Sequence, residues 1–152
     1  MTETKDDYAL HQGLGYRLSR LSKHVQNRLE TALAPHGITR LRWCVLSGIG
    51  LENVTTPSDI ADYIGITRQA ASRLLVQMRK DGLIDQALTE TDGRSRHLSL
   101  TPLGQDKLDL CHPIVRENQA HFSDKLSPKQ HLLLDELLAA LLVGETKPLD
   151  RF

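Results

Sequence analysis

Residues 57–76, "PSDIADYIGITRQAASRLLV", restrict the possible folds more than any other stretch of this chain. A threonine, Thr56, precedes a proline, and the hydroxyl suits an N-cap with Pro57 at N1 and Asp59 at N3, so a short helix is predicted to about Ile64. Gly65 interrupts it at the point where a sharp turn would strain any residue carrying a Cβ. Thr67 then caps a longer helix reaching about Asp81, where Gly82 ends it. Ala61 is small where the two helices would cross, and Ile60, Ile64, Ile66, Ala71 and Leu74 are apolar where their contact must be dry. Two short helices hinged at a glycine are the pattern of a helix-turn-helix, whose second helix enters the DNA major groove.

A helical wheel at about 100° per residue divides the second helix into two faces. Ala71, Leu74, Leu75 and Met78 form the apolar stripe. Gln69, Ser72, Arg73, Val76 and Lys80 gather opposite, with Arg68 and Arg79 on the flanks. From Thr67 to Lys80 there are four basic residues and no acidic one. Gln and Arg side chains make bidentate contacts to adenine and guanine edges, and Val76 suits a thymine methyl. The candidate DNA-reading residues of this helix are therefore Thr67, Arg68, Gln69, Ser72, Arg73, Val76 and Lys80.

Directly after it, "LIDQALTET" and "RSRHLSL" read as two strands joined through Asp92-Gly93, a strong short hairpin signal. A hairpin following a recognition helix is a wing, and an arginine at its tip suits the negative potential of a narrow minor groove. Arg94 and Arg96 are the candidate contacts, with Asp92 placed to pair with an arginine and fix the turn. Arg40, Arg42 and Ser58 are candidate phosphate contacts.

The flanks are helical. Leu14, Leu18, Leu21, Val25, Leu29 and Leu33 recur at spacings of three and four, predicting a helix over about 12–34 that stops at "APHGIT". "RLRWCVLSGI" is a second helix expected to break at Gly50, and "LENVTT" a loop. Thr101-Pro102 starts another helix expected to run through "LGQDKLDLCHPIVRENQAHF", with Pro113 a point where it can kink or divide, and Ser127 caps a last one through "HLLLDELLAALLV". That last segment holds too many leucines for one face of a peripheral helix, so it suits either a contact between two subunits or a two-sided core position within one.

With 152 residues, 39% hydrophobic, the chain is long enough for one domain with its own core. No apolar run approaches the ~20 residues of a membrane span, and the polar, acidic start is unlike a secretory signal, so a cytoplasmic location is expected. The formal net charge of zero removes any global electrostatic argument for nucleic acid, leaving a local one: residues 16–42 carry a balance of +5, and the part from Leu103 onward −2. Cys44 and Cys111 have no metal spacing, and free thiols are favoured over a disulfide. No phosphate-binding loop, nucleophile elbow or zinc-protease pattern occurs, so an enzyme is not expected, nor is a cofactor or a metal.

The helix-turn-helix "PSDIADYIGITRQAASRLLVQMRKDGLI" together with "TDGRSRHLSLTPLG" resembles the MarR family of winged helix-turn-helix transcription factors, across nearly the whole chain. Asp92 and Arg94 match the family's Asp-x-Arg wing, and Leu100-Thr101 with Gly104 its Leu-Thr-x-x-Gly. The chain departs from the pattern at Asp85-Gln86, where members often carry an arginine. The resemblance implies a mainly α fold with a small β-hairpin wing. The helices at about 12–34 and 102–145 would interlock in a homodimer, and about 38–100 would form the DNA-binding lobe. It further implies a repressor of a palindromic operator on double-stranded DNA, released by a small aromatic or phenolic effector in a cleft between the lobes. Arg20, His24, Trp43, Cys44, Cys111 and His112 are the candidates to line that cleft; a core tryptophan and inert buried thiols are the competing reading. A winged helix that binds a partner protein, and a redox-sensing regulator acting through Cys44 or Cys111, are the alternatives.

Overall fold

Hydroxyl caps set where five of the six described α-helices begin, α1 following Gly13 instead. The computed structural model describes residues 9–88 and 96–152 of the chain. After a short 3-10 turn (Leu10–Gln12), helix α1 spans Leu14–Leu33. Thr39 accepts from the Arg42 amide at 3.2 Å and starts α2 (Arg40–Glu52). Thr56 accepts from the Asp59 amide at 3.2 Å for α3 (Pro57–Ile64), and Thr67 from the Ala70 amide at 3.2 Å for α4 (Arg68–Lys80). Strands β1 (Ile84–Leu88) and β2 (Arg96–Leu100) follow, then α5 (Pro102–Ser123) and α6 (Pro128–Leu141). Ser127 opens α6 with a full capping box, its hydroxyl on the Gln130 amide and the Gln130 side chain on its own amide.

Gly65 ends α3 at φ +83°, a left-handed conformation in which a Cβ is unfavourable, and this turn sets α4 across α3. The two helices share one core with the rest of the lobe. Ile60, Ala61, Ile64 and Ile66 meet Ala71, Leu75 and Met78, backed by Leu46 and Ile49 of α2, Leu83 and Ile84, Leu98, and Leu108, Cys111 and Val115 of α5. Each large side chain buried in this way contributes on the order of 1.5–3 kcal/mol.

The strands pair antiparallel with Ile84 opposite Leu100, Gln86 opposite Leu98 and Leu88 opposite Arg96. Cross-strand partners share a face, so Gln86 and Arg96 lie on the same side as the buried Ile84 and Leu98. The Leu98 amide also donates to the Thr55 carbonyl at 2.7 Å, which fixes β2 beside the start of α3.

One expectation fails here. α2 does not break at Gly50; it runs to Glu52 and ends at Asn53 in the left-handed region (φ 54°). A Cβ at residue 50 would run into the Leu108 and Leu100 side chains, so glycine stands inside the helix for close packing rather than to end it. α5 runs as one helix through Pro113, which lies on its exposed side and does not divide it.

The base of the hairpin is fastened to α5. Thr101 donates its hydroxyl to the Gly82 carbonyl at 2.5 Å and its amide to the Leu83 carbonyl at 3.1 Å, and it accepts from the Gly104 amide at 3.0 Å. A Cβ at residue 104 would overlap the Leu83 carbonyl, so the Leu-Thr-x-x-Gly motif is a joint between helix and sheet. On the far side, α1 and α5 run antiparallel. Arg28 forms a forked ion pair with Glu117 at 2.8 and 3.2 Å and donates to the buried Asn118 at 3.0 Å, while Asn118 donates to the Val25 carbonyl at 3.4 Å.

α6 contrasts with everything else. Among the described residues none of this helix is buried, and Leu132, Leu133, Leu134, Leu137, Leu138 and Leu141 all face solvent in the single chain. The two-sided core position is thereby excluded. Leu14, Leu18 and Leu21 of α1 are exposed as well. Beyond α6, the chain turns at Gly144 and returns to the helix-turn-helix, where Leu149 lies parallel to Ile66. None of the described helices is long and apolar enough to cross a membrane.

Candidate nucleic-acid interface

The wheel drawn for α4 describes its burial. Ala71, Leu75 and Met78 are buried and Leu74 is half-buried, whereas Arg68, Gln69, Ser72, Arg73, Val76, Arg79 and Lys80 are exposed. Thr67 is spent on the cap, its hydroxyl holding the Ala70 amide. Gln69, Arg73 and Lys80 form the outer crest. Arg68, Ser72, Val76 and Arg79 lie on the flank turned toward the sheet, where they line a groove with Pro57, Ser58, Leu75, Gln86 and Arg96. Three guanidinium groups and no carboxylate border this groove, a lining suited to a polyanion.

Arg79 and Gln86 were not among the residues selected from the sequence. The register supplies the signal for Gln86: opposite Leu98, it shares the inner face of the hairpin with Arg96. Asp92 and Arg94 lie outside the described residues.

Arg40 and Arg42, expected as phosphate contacts, each have an acidic neighbour within the chain. Arg42 pairs with Asp81, the residue that caps α4, and Asp81 also accepts from Gln77 at 3.3 Å. Arg40 lies 3.7 Å from Glu30 and 5.0 Å from the centre of the Phe152 ring. Ser58 is exposed in the first turn of α3, its hydroxyl 3.5 Å from that of Thr56.

The six residues proposed for an effector cleft separate into three places. Trp43 and His112 stack with ring centres 6.0 Å apart and planes 23° apart, joining α2 to α5. Arg20 and His24 are exposed and line an open groove along α1 with Tyr16, Lys23 and Asn27, which neither Trp43 nor His112 borders. Cys111 is fully buried and Cys44 half-buried, and both are free thiols. Burial pushes both thiols above the ordinary cysteine value, against weaker opposing effects of Arg40 on Cys44 and Lys107 on Cys111. Burial thus favours the protonated thiol at both positions. No cluster of metal-ligating side chains occurs among the described residues.

This architecture matches known proteins. The transcriptional repressor MprA of Escherichia coli is 28% identical over 152 residues, covering 93% of this chain and 77% of its own. The structure of S. aureus MepR in complex with DNA superimposes with a TM-score of 0.82 at 19% identity, over 90% of this chain and 99% of that one. CouR of Rhodococcus jostii, bound to p-coumaroyl-CoA, superimposes with a TM-score of 0.75 at 20% identity, over 90% and 94%. Residues 36–95, which contain the whole helix-turn-helix and the first strand, match the MarR family model.

Proposed function

We propose that this chain is the protomer of a homodimeric transcriptional repressor. In this reading each α4 enters the major groove of one half of a palindromic operator, and the hairpin reaches the neighbouring minor groove. The carrying observation is the acid-free exposed face of α4, with Gln69, Arg73 and Lys80 on the crest and Arg68, Arg79 and Arg96 along the adjoining groove. A winged helix built to bind a protein would need an apolar or acidic surface there. MepR, solved on DNA, supports the reading by its fold.

The exposed leucines of α6, with those of α1, support pairing of two copies. A symmetric pair would also place two recognition helices on one face of DNA, as a palindrome requires. A small aromatic effector is the expected release signal, supported by CouR with its bound p-coumaroyl-CoA.

The test is an anisotropy titration of the purified protein against its own upstream DNA and a random duplex of equal length, at two salt concentrations. Preference for the upstream fragment, a steep loss of affinity with salt, and two protomers per site are expected. Equal, salt-insensitive affinity for both duplexes would refute the regulator reading.

A further inference from the structure

The segment following α6 contacts the part of the chain that orients the recognition helix. Its Leu149 amide donates to the Gly65 carbonyl at 2.8 Å, and its carbonyl accepts from the Thr67 amide at 3.0 Å. These two bonds flank Ile66, the residue in the turn between α3 and α4. The turn's own bonds satisfy the Gly65 and Ile66 amides, both of which donate to the Ala61 carbonyl. The Gly65 carbonyl and the Thr67 amide find their partner in Leu149, and without it they would be left to water. The contact is made by backbone, and Leu149 as a whole is 52% exposed. Three residues further on, the Phe152 ring covers the Arg40 guanidinium.

We propose that residues 145–152 are a positioning strap for the recognition helix. They fasten the turn before α4 to the end of α6, so the set of α4 across α3 depends on where α6 lies. The effect on DNA rests on the regulator reading above; the strap itself does not. A backbone contact with little apolar burial is held loosely enough to be made and released, unlike the core beneath Ile66.

Leu149→Pro removes the amide that bonds the Gly65 carbonyl, while Leu149→Ala keeps it and loses only a half-exposed side chain. Amide hydrogen exchange at Thr67, sedimentation, and titration against the upstream and random duplexes are compared for both variants and the parent. Leu149→Pro is expected to speed Thr67 exchange at least tenfold and to weaken upstream binding at least threefold. Random-duplex binding and the oligomeric state should stay unchanged, and Leu149→Ala should match the parent throughout. Unchanged Thr67 exchange in Leu149→Pro would overturn the strap. Faster exchange with unchanged upstream affinity would overturn its positioning role. A parent protein that binds neither duplex would sink the regulator reading, and Thr67 exchange would still decide whether the strap exists.

Discussion

Leu75 of α4 and Leu137 of α6 occupy comparable mid-helix positions, yet the first is 3% exposed and the second 51%. Both sit in helices opened by a hydroxyl cap, and both belong to an apolar stripe. The difference lies in what covers them. The helix-turn-helix lobe finds its cover within the chain, in α2, β2 and α5, whereas α6 finds none. Periodicity therefore identifies a face that must be buried without saying which molecule buries it. In this protein the two cases divide the chain: a lobe whose core is covered within one copy, and an α6 whose leucines stay exposed, which the proposed pairing of two copies would cover.

The largest predicted effect tests the unfinished half. Leu137→Lys with Leu141→Lys changes four positions in a symmetric pair, each worth about 1.5–3 kcal/mol of apolar burial, so dimer stability should fall by about 6 kcal/mol or more. Sedimentation should show a monomer at micromolar concentration with an unchanged helix-turn-helix spectrum. A persisting dimer would mean that α6 is not the contact.

Leu75→Ala tests the finished half. A cavity in a core with no outside partner should cost about 2–5 kcal/mol in denaturant unfolding, without promoting dissociation of the folded dimer. Substitutions on the surface should separate binding from folding. Arg73→Ala is expected to weaken upstream DNA by about 1–3 kcal/mol and random DNA less, with an unchanged melting temperature. An equal loss on both duplexes would reduce Arg73 to a phosphate contact.

The smallest effect concerns the clamp between α1 and α5. The hydrogen bonds from Arg28 hold the Glu117 carboxyl below the usual carboxylate range. A carboxylate with a depressed folded pKa stabilises the fold above its unfolded value, and that contribution is lost as pH falls through the folded one. The melting temperature of Glu117→Gln should lie slightly below the parent's at pH 7, and the gap should close below about pH 4. A gap that is constant with pH would assign the contribution of Glu117 to packing rather than charge.

Much of this arrangement was legible in the chain because it is local. Thr56, Thr67, Thr101 and Ser127 cap through their own next residues, Gly65 announces its turn, and the wheel of α4 sorts core from surface. What escaped depends on partners far along the chain. Gly50 looks like a breaker until Leu108 is seen beside it. Arg40 and Arg42 look free until Glu30, Phe152 and Asp81 are placed against them. Gln86 joins the groove only once the strand register is known, and the bonds of Leu149 leave no side-chain signature at all.

The joint at Gly104 has a mechanical consequence. Thr101 ties the first turn of α5 to the Gly82 and Leu83 carbonyls, and residue 104 leaves no side chain between helix and sheet. Helix and hairpin then tilt as one piece. The 22 residues of α5 make an arm of about 33 Å. A tilt of about 5° at one end therefore carries the other through about 3 Å, close to one base-pair step of the duplex. α5 is a lever with the hairpin bolted to its end.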